Sequence, residues 1–329
     1  MGRENGFDRV KGAAIVLVVF GHVWLGLGSA GLIRDDTLFQ TVEAAIYLFH
    51  MPVFFFVSGL FFSSRAAPAA FLRQKLLTLL WPLLLWSWVE GAALWLSGQG
   101  VDRGLTGPLG VLIYPVPVKS VFWFLWALFV LQMVAYAVRR WVPGMARPVL
   151  VGLLLASVAV FLLRVDPGSA VTIVENAPYF LLGVLLSGAR RHLIPRGMMG
   201  LMAALALFLL AEALRFRDGG DAPWFQLVAL LAVLGFAGAV GWIGGAVGAV
   251  LAWLGTRTMP IYLVHIIVTA ATRVMLLKLG VSGVGLHLVL GTVLGVALPL
   301  VLDAVVQRLR LGALAGFGQH RGEGSVEPD

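Results

Sequence analysis

Ten apolar runs joined by short polar loops constrain this chain more than any single motif. They lie at roughly 10–28, 42–62, 76–97, 120–138, 148–163, 174–189, 197–214, 224–243, 258–279 and 284–306. Only 12% of the 329 residues are charged and 60% are hydrophobic, too little charge to cover a soluble body of this size. A bilayer core removes the difficulty, because a helix of about 20 apolar residues crosses it with every backbone group paired. The runs are continuous, without the period-two alternation of a β-barrel. The expected fold class is therefore all-α, a polytopic membrane protein of about ten transmembrane helices.

Charge in the loops alternates with the count of spans. The loops with Arg65, Arg73 and Lys75, with Arg139, Arg140 and Arg147, and with Arg190, Arg191 and Arg196 hold no acids. Arg3, Arg9 and Lys11 at the start, and Arg308, Arg310 and Arg321 at the end, fall on the same side, as does Arg257. The opposite loops mix signs: Arg34 with Asp35 and Asp36, Asp102 with Arg103, Arg164 with Asp166, and Arg215 and Arg217 with Asp218 and Asp221. Positive-inside bias then predicts an even number of spans and both termini in the cytoplasm. The net charge of +8 reads as a topology signal, not as an affinity for nucleic acid.

The absence of cysteine excludes thiol catalysis, disulfides and thiolate metal sites. The first run lacks a small-x-small cleavage site and reads as a retained helix. The expected layout is one transmembrane domain over 1–311 and a disordered cytoplasmic tail over 312–329, Gly-rich and polar. The loop Gly98–Lys119, with Gly107-Pro108 and Pro115-Val116-Pro117, is placed to cover the outer mouth. Gly241, Gly244, Gly245 and Gly248 have the spacing of a close helix interface, and 244–256 is short for a span.

The ionisable residues inside the runs are the functional candidates, because a charge in lipid needs a partner or a polar cavity. Arg9 and Lys11 open the first run, and His22 lies eleven residues beyond Lys11, roughly 16 Å along a helix. His50, Glu90, Glu212 and Arg273 fall at similar depth in the outer half of their spans, and together with His22 predict a shared polar cavity opening outward. Taken singly, each also has a structural reading: His50 can brace the Pro52 kink, Arg273 can snorkel, and Arg9 can serve as positive-inside anchoring. His265 is expected on the inner half of its span, equally as a buried ring bonding a carbonyl or as a functional group. His192, His287 and His320 are expected at the surface. No HExxH, GxSxG elbow or nucleotide loop occurs, so no metal is expected.

Four segments carry a resemblance. FDRVKGAAIVLVVFGH at the start, FHMPVFFFVSG (Phe49–Gly59), VFWFLWALF (Val121–Phe129) and MPIYLVH (Met259–His265) resemble, in order, motifs of the membrane-bound acyltransferase-3 family, in particular O-acetyltransferases similar to fucose 4-O-acetylase. Many relatives carry Arg where this chain has Lys11, with Arg9 nearby. The resemblance implies transfer of an acyl group, acetyl above all, from cytoplasmic acetyl-CoA to a hydroxyl of a sugar, glycan or glycolipid, in the inner membrane of a bacterium. Carried over to this sequence, it puts Arg9 and Lys11 at the donor's phosphates and His22 at the reacting carbonyl, as general base or as acyl carrier. His50 and Glu90 join it as catalytic candidates, with Ser58, Tyr262, His265 and Arg273 in support. A transporter for a small polar or sugar-derived solute is the competing class, and ought to show paired half-repeats with interrupted helices.

Overall fold

The computed structural model describes residues 4–98, 100, 105–116, 120–195, 197–218 and 222–318, with the side chains of 4, 5 and 191 excepted. Arg3, Asp102, Arg103, Pro117, Lys119, Arg196, Asp221, His320 and Arg321 lie outside the described residues.

Fifteen α-helices follow one another, and no strand occurs among the described residues. The first span is α1 (Glu4–Ser29), and the second is broken into α2 (Asp36–Tyr47) and α3 (His50–Leu60). The third is α4 (Pro68–Lys75), a π-helical turn at Leu76–Leu80, and α5 (Trp81–Leu96). A short α6 (Pro108–Ile113) precedes α7 (Trp123–Trp141), α8 (Ala146–Leu162) and α9 (Val171–Leu186). Then come α10 (Arg190–Leu193), α11 (Gly197–Asp218), α12 (Phe225–Trp242), the short α13 (Gly245–Gly255), α14 (Thr258–Lys278) and α15 (Val284–Arg308). Nine helical stretches among the described residues are long and apolar enough to cross a membrane, and α7, 19 residues long, stands where the sequence places the fourth span.

The interruptions have local causes. Pro52 has no N–H to give to Leu48 and its ring crowds that carbonyl, so the second span breaks at Leu48-Phe49. Asp35 caps α2 by accepting from Leu38 N at 2.9 Å. Pro82, at the start of α5, follows the π-turn, where a widened helix absorbs a missing donor.

Helix α1 is the hub. It packs against α2, α3, α12, α13, α14 and α15. A Cβ at Gly291 would meet Val23 and one at Gly295 would meet Val19. Helix α15 therefore runs antiparallel to α1, and the start of α1 and the end of α15 share one face. Backbones touch where α1 crosses α13, with Gly12 against Leu251 and Gly255 against Asp8. They touch again where α3 crosses α9, Gly59 against Phe180 and Gly183 against Phe56. In a bilayer no hydrophobic force draws helices together, so such close approach supplies the packing instead. The perimeter is apolar: Val151 and Leu155 on α8, Met199 and Leu209 on α11, and Val289 and Val293 on α15 are all exposed, as lipid-facing residues must be. This is a multi-pass membrane protein.

Three expectations are corrected. Residues 312–318 are not a free tail: Trp81 and Trp86 donate to the carbonyls of Leu314 (2.8 Å) and Ala315 (2.9 Å), and buried Phe317 stacks on Trp86. The tryptophan N–H groups supply what the polar composition conceals. The glycines at 241–248 do not form one interface, because Gly244 and Gly245 (φ +63°) are the joint between α12 and α13 and have open space around them. The described part of the loop at 105–116 lies on α5, with Trp88 donating to Leu112 (3.0 Å) and Tyr114 against Gly91, and lines no cavity at His22.

Candidate active site

The site is built on α1 and α14, which run side by side. His22, His265, Gly26 and Arg273 meet along this seam: the His22 and His265 rings are 5.0 Å apart between centroids, and Arg273 occupies the space that a Cβ on Gly26 would need. His265 therefore belongs with His22 and not in a separate inner region. The sequence alone misplaced it because depth was counted along α14 by itself, whereas helix packing sets the register between the two histidines.

His265 is fully buried, and its Nδ1 donates to the carbonyls of Tyr262 (2.8 Å) and Ile261 (3.0 Å). That assignment leaves Nε2 as a bare acceptor, and among the described residues nothing donates to it. His22 makes no hydrogen bond to a described residue and lines a small cavity with Val23, Leu27, Thr269, Arg273, His287 and Gly291. Its volume of about 10 Å³ is the room of one water molecule. Arg273 lines this cavity and forms no ion pair with a described residue.

His287 is a functional candidate that the sequence assigned to the surface. It is 1% exposed, its Nε2 donates to Val281 (2.9 Å), and its Nδ1 is buried. A histidine in the first turn of α15 looks superficial in sequence, and only the fold of the α14–α15 turn closes over it.

The other candidates are distributed around this seam. His50 is buried and its Nδ1 donates to the Ile46 carbonyl (2.8 Å), which also accepts from Phe49 N (3.4 Å) at the end of α2. Its ring stands edge-on to Tyr47 at 4.5 Å. Tyr262 donates to the Val121 carbonyl (3.0 Å), and Phe55, Phe124 and Tyr262 form a chain of edge-on rings at 4.7 and 5.6 Å. Ser58 accepts from Gln132 (3.0 Å), tying α3 to α7. Glu90 is buried on α5, which packs against α14. His50, Glu90 and Glu212 do not line the cavity at His22. Glu212 sits apart on α11, one turn from Arg215. The predicted shared cavity is thus smaller than expected, and it gains His287 in place of the acids.

Arg9 and Lys11 diverge, because two residues turn a helix by about 200°. Arg9 donates through Nη1 to the Gly241 carbonyl (3.2 Å) at the end of α12. Lys11 pairs with Asp8 at 2.8 Å, both partly exposed. Eleven residues bring the helix back to the same face, so Lys11 and His22 share one stripe of α1. Ile15 and Val18 fill that stripe between them and are buried; the cavity at His22 does not reach Lys11. No group of three or more metal-ligating residues occurs among the described residues.

The sequence profile of the acyltransferase-3 family, described as an acyltransferase domain, matches residues 4–304. Nodulation protein NolL of Sinorhizobium fredii is 35% identical over 133 residues, which are 38% of this chain and 34% of that protein. Nodulation protein NolL of Mesorhizobium japonicum is 31% identical over 134 residues, 39% of this chain and 34% of that protein. The match therefore spans about a third of the length of these relatives. No solved structure matches the chain. With a profile match over nearly its whole length and a bundle of membrane-spanning helices around α1, the chain belongs to the acyltransferase-3 family of membrane acyltransferases.

Proposed function

We propose that this chain moves an acetyl group from acetyl-CoA on the cytoplasmic face of a bacterial inner membrane to a hydroxyl of a sugar, glycan or glycolipid on the other face. The observation that supports it most is the seam itself: a histidine with no hydrogen bond to a described residue, set in a small cavity that Arg273 also lines, on the same helical stripe as a cation at the membrane face. Both termini lie in the cytoplasm in this reading, so Lys11 faces the donor.

His22 takes the proton of the acceptor hydroxyl as its oxygen bonds to the thioester carbonyl carbon. The carbon–sulfur bond then breaks, and the leaving thiolate takes that proton from the imidazolium. Arg273 stabilises the negative charge that develops on the carbonyl oxygen. His265, fixed by two backbone carbonyls, packs its ring 5.0 Å from that of His22 and holds the imidazole in place. His50, Glu90, Tyr262 and Ser58 position the surrounding helices. Ile15 and Val18 separate the two ends of the stripe, so the donor's arm has to part them on entry. The same packing keeps water from the thioester when no acceptor is present.

Mass spectrometry of surface glycans from cells with and without the chain tests this. The expected result is acetyl esters only where the chain is present. Identical glycans, with a change in solute uptake instead, would overturn the reading in favour of transport.

The two cations give a separate expectation. Lys11→Gln raises the KM for acetyl-CoA by about tenfold, the loss of one charge-assisted contact, with kcat within about twofold. Arg9→Gln leaves that KM unchanged and lowers stability by about 1 kcal/mol, because its contact is with α12. Steady-state kinetics with varied donor and a thermal unfolding series separate the two roles.

A further inference from the structure

A second pocket lies at the other end of the bundle from Lys11, where α8 ends, α9 begins, α11 ends and α12 begins. Its volume is about 610 Å³, within the range of ligand sites, and it shares no lining residue with the cavity at His22. Phe161 and Phe225 supply apolar faces, and Arg164, Arg215, Asp166 and Glu175 supply charge of both signs. Gln226 lines it too, although the residue is only 2% exposed. Neither its Nε2 nor its Oε1 has a hydrogen-bond partner among the described residues. The Nε of Arg215, whose guanidinium lies over the Phe225 ring at 5.6 Å, is likewise buried without one.

A buried amide without partners is costly, and native structures tolerate it where a ligand completes it. Two arginines against two carboxylates leave no net charge to attract a phosphate. Donors, acceptors and aromatic faces in one neutral pocket suit a polyhydroxylated ring, whose hydroxyls both give and accept hydrogen bonds while its C–H faces meet aromatic carbon.

We propose that this pocket is a saccharide-binding site, with the Gln226 amide as its central contact and Glu175 and Arg215 at its sides. The proposal rests on the acyl-transfer reading in one respect: the bound saccharide is part of the acceptor, held by a unit other than the one being esterified. Binding itself is independent of the donor.

The test uses the full chain in detergent without acyl donor. Saturation-transfer NMR is recorded against the methyl glycosides of glucose, galactose, mannose and N-acetylglucosamine, and against glycerophosphoethanolamine. At least one glycoside is expected to bind, and Gln226→Met and Glu175→Gln are each expected to weaken it at least tenfold. Thermal unfolding of Gln226→Met is the second readout. If the amide is kept for a ligand, removing it leaves the midpoint level or raises it. A lowered midpoint would assign the amide to packing and overturn the proposal. So would unchanged binding in Gln226→Met, no binding of any glycoside, or binding of glycerophosphoethanolamine alone. Since no donor is present, cells that contain the chain but carry no acetyl esters, with glycoside binding intact, would count against the acyl-transfer reading and not against this site.

Discussion

His22→Ala is expected to lower acyl transfer by about 10²–10⁴-fold, the usual contribution of a positioned general base, while the protein remains in the membrane at its normal level. Both halves follow from the geometry. The ring makes no hydrogen bond to a described residue and borders a cavity, so its removal breaks no hydrogen bond between helices and costs only its packing on the His265 ring. His265→Ala is different. It removes the group that occupies the carbonyls of Ile261 and Tyr262, so it lowers stability by about 1 kcal/mol as well as activity. The comparison is made by quantifying esterified product per unit of folded protein for each variant. Near-normal transfer by His22→Ala would remove the imidazole from the reaction altogether.

The second large effect is on the fold. Gly59→Val is expected to destabilise the protein by ~3 kcal/mol, at the upper end for overpacking, because its Cβ would land on the Phe180 carbonyl and no side-chain rotation relieves a clash with backbone. Gly183→Val is expected to do the same through Phe56. The two act on one crossing of α3 and α9, so the double variant costs little more than either alone. Gly152→Ala, on α8 with open space around it, leaves stability level or raises it by up to about 1 kcal/mol. Unfolding in a graded series of SDS in mild detergent, followed by tryptophan fluorescence, reads all four. Tolerance of valine at both 59 and 183 would show that the helices do not cross at backbone contact.

The Gly59 result also explains a motif. In FHMPVFFFVSG the final glycine allows α3 to touch α9, Pro52 breaks the second span, and His50 ties its ring to the Ile46 carbonyl at the end of α2. The stretch is recognisable in sequence for reasons that are largely architectural. MPIYLVH behaves similarly: Tyr262 clasps the Val121 carbonyl, and that contact joins the late motif to the aromatic fourth-span segment.

By itself the sequence determined the fold class, the positions of the spans and the residue types able to do chemistry. These follow from hydropathy and local stereochemistry, which act over a few helical turns. It also placed Lys11 and His22 eleven residues apart on one helix, since that relation lies within a single run. Only the tertiary structure decided which polar residues meet. Packing of α1 against α14 and α15 brought His265 and His287 to His22 and left Glu90 and Glu212 elsewhere, while two tryptophan N–H groups tied down 312–318. The register between separate helices depends on where glycines permit backbones to touch, and a glycine's neighbours across an interface are not written in its own run.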